Sequence, residues 1–254
     1  MNSKIKQAFD RIESMRGYDD FDEKRLEFIL LFDIFRQGLN YSDKTAISQE
    51  RSGAKLKKTG YVDILLKPLI GNKDSWICVE IKSTTFNFNQ KNNLQGAFRQ
   101  IGKYIVSYGA RYGILTNSKR WYFLEAVGQT KVSKNQFYVR SILQFNIQDK
   151  LKKEQKRKYY RYLEKALRRC RKETVSSFFK ALSEFQKILR QNNGEIKASY
   201  APTKLFAPIS EKYPSRLNRG DENFLRGIIK DQKLQREIFD FDLFSVDLKV
   251  TTRK

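Results

Sequence analysis

The sequence predicts an α/β protein: a core with a mixed central sheet flanked by helices, continued by a basic, mainly helical C-terminal region. Three observations predict it. Short apolar runs at 61–66, 76–81, 112–117 and 121–126 have the length and flanking turn residues of strands. A helical pattern at 94–108 falls between the two strand pairs, which is how a mixed sheet is built. Beyond about residue 148 the composition turns strongly basic and the apolar spacing becomes helical.

Taken in order, Ile5, Phe9 and Ile12 recur at helical spacing and predict a short amphipathic helix ending near Gly17. A second helix opens on Asp19, Asp20 and Asp22, acids that suit a helix N-terminus, runs through Leu26, Ile29, Leu30, Phe32, Ile34 and Phe35, and stops near Gly38. Glu23 and Glu27 lie one turn apart on it. Residues 40–59 are polar and lysine-rich and read as a loop or weak strand. The runs at 61–66 and 76–81 form a hairpin across Lys67-Pro-Leu-Ile-Gly-Asn-Lys-Asp74. The helix at 94–108 ends at Gly109. Two strands then turn at Ser118-Lys-Arg120, and 136–145 adds an edge strand.

Asp149 to Thr174 holds twelve Lys or Arg against four acids, with Tyr159, Tyr160 and Tyr162 interleaved. Leu163, Ala166, Leu167 and Cys170 give it a narrow apolar stripe that Val175, Phe178, Phe179, Leu182, Phe185 and Ile188 continue, as one long helix or two. Residues 195–222 carry three of the four prolines and read as loop-rich, followed by a helix at about 222–239 and an alternating segment at 239–248 that fits a strand or a docking segment.

Composition narrows the chemistry. A net charge of +23 and a pI near 9.9 point to a polyanionic partner, nucleic acid first. No apolar run is long enough to span a bilayer, and Met1-Asn-Ser-Lys-Ile-Lys-Gln lacks the apolar core of a secretory signal. Cys78 and Cys170 form no metal-ligand spacing, and histidine is absent, which removes Ser-His and Cys-His nucleophile systems and His-ligated zinc. Catalysis is left to carboxylates, lysine, tyrosine or a hard cation.

Those groups converge between Gly60 and Tyr104. Glu80 and Lys82 lie two apart on a strand and emerge on one face, with Val79 and Ile81 on the other. Asp63 lies on the preceding strand of the hairpin. Two carboxylates side by side among apolar neighbours are costly unless a cation neutralises them. Magnesium suits such a site, held by Asp63, Glu80 and the carbonyl of Ile81, with Lys82 beside it as general base or as stabiliser of phosphate charge. Gln100 and Tyr104 lie at i and i+4 on the following helix, where they can bond phosphate oxygens or orient the lysine.

Asp63, Glu80-Ile-Lys82 and Gln100-Ile-Gly-Lys-Tyr104 resemble the PD-(D/E)xK nuclease superfamily, closest to the N-terminal endonuclease domain of type I restriction enzyme motor subunits, a branch with a Gln-x-x-x-Tyr motif. Ala110 to Phe123 is similar to the strand pair that follows in that branch. The resemblance covers roughly residues 15–130. Val62 stands where the superfamily has its proline, and no Gly-x-x-x-x-Gly-Lys-[Ser/Thr] loop occurs, so no nucleotide cofactor and no motor are expected. The resemblance implies a restriction-endonuclease-like core over 1–147 and an acidic residue of the first core helix assisting the metal, for which Glu23 matches best and Glu27 is in reserve.

The expectation is a Mg2+-dependent endodeoxyribonuclease, with Mn2+ able to substitute, acting in restriction, repair, recombination or mobile-element processing. The alternatives are a catalytically silent nucleic-acid-binding subunit and a ribonuclease. DNA contacts are expected from Lys57, Lys58, Arg99, Lys103, Lys119 and Arg120 near the site. In the basic region 148–254 they are expected from Lys156, Arg157, Arg161, Arg168 and Arg169, with the interleaved tyrosines open between stacking on bases and packing in the protein. A cytoplasmic location, nucleoid-associated in a prokaryote, is expected, as is assembly as a homodimer or in a larger nuclease complex.

Overall fold

The computed structural model describes residues 2–15, 23–51, 60–67, 75–127, 136–170, 175–192, 219–231 and 248–251. Helix α1 is Ser3–Met15, and α2 is Glu23–Phe28, which continues without a break as π-helical turns over Ile29–Gly38. Strands β1 (Ala46–Arg51), β2 (Tyr61–Leu66) and β3 (Ile77–Ile81) form an antiparallel meander. Helix α3 (Lys91–Tyr108) then crosses over to β4 (Tyr112–Thr116), which runs parallel to β3. Strands β5 (Arg120–Val127), β6 (Gln136–Asn146) and β7 (Leu248–Thr251) complete a seven-stranded sheet in the order of the chain, antiparallel from β4 onward. Helices α4 (Lys153–Cys170), α5 (Val175–Gln191) and α6 (Arg219–Ile229) follow the large strands.

The sheet is mixed, as the helix between the strand pairs predicted, and it is sandwiched. Alternate side chains of β2–β5 enter two apolar clusters. Ile64, Val79, Ile81, Ile114 and Phe123 meet the helices α1, α2, α4, α5 and α6, whereas Leu65, Cys78, Leu115, Tyr122 and Leu124 meet α3. Parallel strands buried on both faces read as continuous apolar runs, and β3 and β4 are buried at every position. Gly113 lets α3 approach β4: a Cβ there would stand 2.8 Å from Cδ1 of Ile101. Gly109 ends α3 in the left-handed conformation, φ 63°, its N–H bonding back to the Ile105 and Val106 carbonyls.

Several elements decide between alternatives the sequence leaves open. The segment read as loop or weak strand contains β1, held to β2 by a regular antiparallel register from Ala46↔Leu66 to Arg51↔Tyr61. The apolar stripe beyond residue 148 forms two helices; the last described helix spans Arg219–Ile229, and residues 232–239 of the stretch read as helical lie outside the described residues. The change to a basic composition does not interrupt the core. Phe179 of α5 packs on Tyr112 of β4 with ring centroids 4.2 Å apart, and Tyr160 of α4 stacks on Phe9 of α1 at 4.4 Å. Tyr159 and Tyr160 are buried, and Tyr162 meets Phe224 of α6, so these tyrosines pack within the protein rather than standing out as a stacking surface. The proline-rich stretch at 195–218 and most of the alternating segment at 239–248 lie outside the described residues. Among the described residues no helix is long and apolar enough to cross a membrane.

Candidate active site

The hairpin register carries the first pair together. Ile64 stands opposite Val79 at the end of the antiparallel ladder, and Asp63 and Glu80 are the next residues along on the two strands. Asp63 Oδ2 accepts the backbone N–H of Ile81 at 2.7 Å, which leaves its other oxygen for a further partner. Glu80 is 2% exposed; its Oε1 takes the Lys82 ammonium at 2.6 Å, while Oε2 is buried with no hydrogen-bond partner. β3 ends at Ile81, and the Lys82 N–H donates to the Thr116 carbonyl of β4 at 2.8 Å, so the lysine sits where the parallel pair closes.

Helix α3 supplies the second half. Lys82 Nζ also donates to Gln100 Oε1 at 2.9 Å, and Gln100 Nε2 donates to the Tyr104 hydroxyl at 3.3 Å. The i, i+4 spacing thus forms a chain: Glu80, Lys82, Gln100, Tyr104. Gly60, at φ +78°, lies close to Tyr104, where an added Cβ would be 3.2 Å from the hydroxyl.

Helix α2 closes the site from the opposite face of the sheet. Glu23 is exposed, and its Oε1 accepts the N–H of Ser83, the residue after Lys82, at 3.2 Å. Glu27 is buried, accepting from Ser48 Oγ at 2.6 Å and Lys24 Nζ at 3.0 Å. Both candidates of α2 therefore reach the site: Glu23 at its rim beside the lysine strand end, Glu27 beneath it, committed to β1 and Lys24. Ser48 was not legible beforehand, because β1 carries no apolar run to announce it.

The electrostatics follow from this crowding. Burial raises the Asp63 carboxyl to about 6, against the Ile81 N–H bond that lowers it, with Glu27 and Glu23 adding repulsion. Burial and then the Asp63 charge push Glu80 to about 8, although Lys82 pulls it down. For Lys82, burial works against the ammonium, but Glu80 first, then Glu23 and Asp63, outweigh it and leave its pKa raised. Burial likewise raises Tyr104. With all ionised, the four carboxylates Asp63, Glu80, Glu23 and Glu27 exceed the two ammonium groups Lys82 and Lys24 by two charges.

Among the described residues no three His, Cys, Asp or Glu side chains gather into a metal cage. The available set is two carboxylates, Asp63 and Glu80, and the backbone carbonyl of Ile81, the residue between Glu80 and Lys82 in the chain. A hard divalent cation that keeps most of its waters needs no more than one or two carboxylates. The buried, unpartnered Oε2 of Glu80 and the surplus of carboxyl over ammonium groups both fit such an ion.

Of the residues expected to contact DNA, Arg99 and Lys103 are exposed on α3, the helix of Gln100 and Tyr104. Arg157, Arg161 and Arg168 are exposed on α4, and Arg169 is half-buried there. Several basic groups have protein partners: Lys119 pairs with Asp149 at 2.8 Å, Lys156 with Glu13 at 3.1 Å and Arg168 with Glu164 at 2.8 Å. Lys57 and Lys58 lie outside the described residues. Comparisons with protein-family models, with curated proteins and with solved structures found no match to this chain.

Proposed function

We propose that this chain is a divalent-metal-dependent endodeoxyribonuclease of the PD-(D/E)xK type, using Mg2+ or Mn2+ and acting as a restriction, repair, recombination or mobile-element nuclease. The observation that carries the reading is the linked set Asp63, Glu80, Lys82, Gln100 and Tyr104, with one Glu80 oxygen buried and unpartnered. A cation bound there supplies Lewis-acid polarisation of a phosphate and a more acidic bound water. Asp63, Glu80 and the Ile81 carbonyl are the groups that would hold it.

The chain's own groups divide the remaining work. Lys82 stays protonated between Glu80 and Gln100, so in this geometry it donates to phosphate oxygens and stabilises the charge that builds on them, rather than taking a proton. Gln100 fixes the direction of the ammonium through its Oε1 and is itself held by the Tyr104 hydroxyl. Glu23, at the Ser83 N–H, borders the water-exposed side of the site. Arg99 and Lys103 place positive charge beside it for the flanking backbone, and the basic region beyond residue 148 adds salt-sensitive affinity.

The test is to incubate the purified chain with linear, nicked, single-stranded and branched DNA and with RNA, in Mg2+ or in chelator, beside Lys82→Ala. Cleavage of DNA that needs Mg2+ and Lys82 is the expected result. Cleavage that survives chelator or the lysine change sinks the mechanism; tight binding with no cleavage makes the chain a nucleic-acid-binding subunit, and cleavage of RNA alone makes it a ribonuclease.

A further inference from the structure

We propose that the cavity at the carboxyl ends of β3 and β4 binds a nucleotide of an unpaired strand next to the bond that is cut, so that the enzyme prefers DNA with a single-stranded segment at the cleavage point. The inference rests on the nuclease reading and deepens it. The site lies outside the carboxyl ends of β3 and β4, which with α3 form the parallel crossover unit among the described residues. A cavity of about 660 Å³ opens there. It begins at Thr84, two residues beyond Lys82, and is closed on the far side by the end of β6 and the turn that follows.

The lining has the mixed chemistry of a nucleotide site rather than of a plain anion site. Phe86, a half-buried ring set edge-on to Phe88 at 4.9 Å, offers an aromatic surface. Arg120 is held in place from two sides, by the Asn89 carboxamide and by the Tyr122 hydroxyl, and so presents its guanidinium without further ordering. Lys150 is exposed at the rim. The one acid, Asp149, is spent on Lys119 at 2.8 Å, which leaves the lining positive.

The carboxamides separate two jobs. Asn117 is fully engaged: it donates to the Phe86 carbonyl at 3.0 Å and accepts the N–H groups of Lys119 and Arg120 at 3.2 and 2.9 Å, which fixes the cavity wall. Asn146 and Gln148 have no side-chain hydrogen bond among the described residues, yet both line the cavity. A carboxamide carries a donor and an acceptor on adjacent atoms, the pattern that matches a base edge and that phosphate alone does not require. A base inside a duplex shows a side chain only its groove edge; to enter the cavity, with its pairing edge at these carboxamides and its face at Phe86, it must be out of the stack. An unpaired nucleotide presents both its edge and its face.

The test uses the full chain carrying Lys82→Ala, so that bound DNA stays intact, and fluorescence anisotropy with a labelled duplex that ends either blunt or in a short single-stranded extension, at one salt concentration. The extension should bind roughly tenfold more tightly than the blunt end. The combined change Asn146→Leu and Gln148→Leu, and separately Lys150→Glu, should abolish that difference, and a deoxynucleoside monophosphate should compete for it. Thermal unfolding reports whether the amide variant folds; Lys150→Glu, on the surface, stands as the second variant. Equal affinity for the two ends, or a preference that survives both changes, overturns the proposal. Cleavage in Mg2+ by the chain with Lys82 intact reads the nuclease function separately. Preference without cleavage keeps the cavity and removes the nuclease reading; cleavage without preference does the reverse.

Discussion

Glu80→Gln isolates the cost of the charge that the site buries. Glutamine keeps the shape of glutamate and an oxygen for Lys82, but it never ionises. A carboxyl that titrates at about 8 rather than at its ordinary 4.5 gives stability that is complete below pH 4.5 and is lost as pH rises through 8. Over that window the ionised glutamate costs the metal-free fold roughly 4–5 kcal/mol, at about 1.4 kcal/mol per pH unit. The side chain is 2% exposed, so solvent screens little of this. In chelator, the variant should therefore match the wild type at pH 4, exceed it increasingly from pH 5 to pH 8 and hold a constant lead beyond, by a Tm gap on the order of 10 °C for a chain of this size. Thermal unfolding by circular dichroism over pH 4–9 measures it. Adding Mg2+ at pH 8 should raise the Tm of the wild type and close the gap, because binding to the folded state adds stability that the glutamine cannot use. Parallel pH profiles for the two proteins would refute the claim that burial and the Asp63 charge outweigh Lys82 in raising the Glu80 carboxyl.

Lys82→Ala should reduce single-turnover DNA cleavage by about 10²-fold or more while changing the Kd for DNA severalfold at most, as measured by quench assay and by anisotropy. Gly113→Val should cost about 1–3 kcal/mol in denaturant unfolding, since its side chain meets Ile101 and Ile105 of α3 where a Cβ alone would already stand 2.8 and 2.9 Å from their Cδ1 atoms. Glu125 is buried between Arg111 and Arg140, with contacts of 2.9 and 2.8 Å; Glu125→Ala should destabilise by about 3 kcal/mol with little effect on cleavage per folded molecule, and an unchanged midpoint would remove its structural role.

Much of the sheet was legible because β2 to β5 are short apolar runs bounded by turn residues, and burial on both faces makes such runs continuous. Asp63, Glu80 and Lys82 were legible because period-2 alternation fixes which side chains share a face, and Gln100 with Tyr104 because i, i+4 spacing does the same on a helix. What escaped depends on partners distant in sequence. β1 is polar, and only its ladder with β2 makes it a strand. The π-helical turns of Ile29–Gly38 have no signature in the sequence, which there shows only an apolar helix. Whether a tyrosine in a basic helix faces solvent or core is decided by Phe9, Glu13 and Phe224, none of which neighbours it in sequence. The amides of Asn146 and Gln148 acquire meaning only when the end of β6 is brought beside the loop after Lys82.

The central claim is that Asp63 and Glu80 hold a divalent cation with which Lys82 cuts DNA. Its most direct measurement follows Mn2+ binding by electron paramagnetic resonance and DNA cleavage in the same samples, for the wild type, Asp63→Asn and Glu80→Gln. Tight Mn2+ binding and cleavage in the wild type, lost together in both variants, is the predicted result. Cleavage that persists in either variant, or Mn2+ bound equally well by all three proteins, would contradict the account.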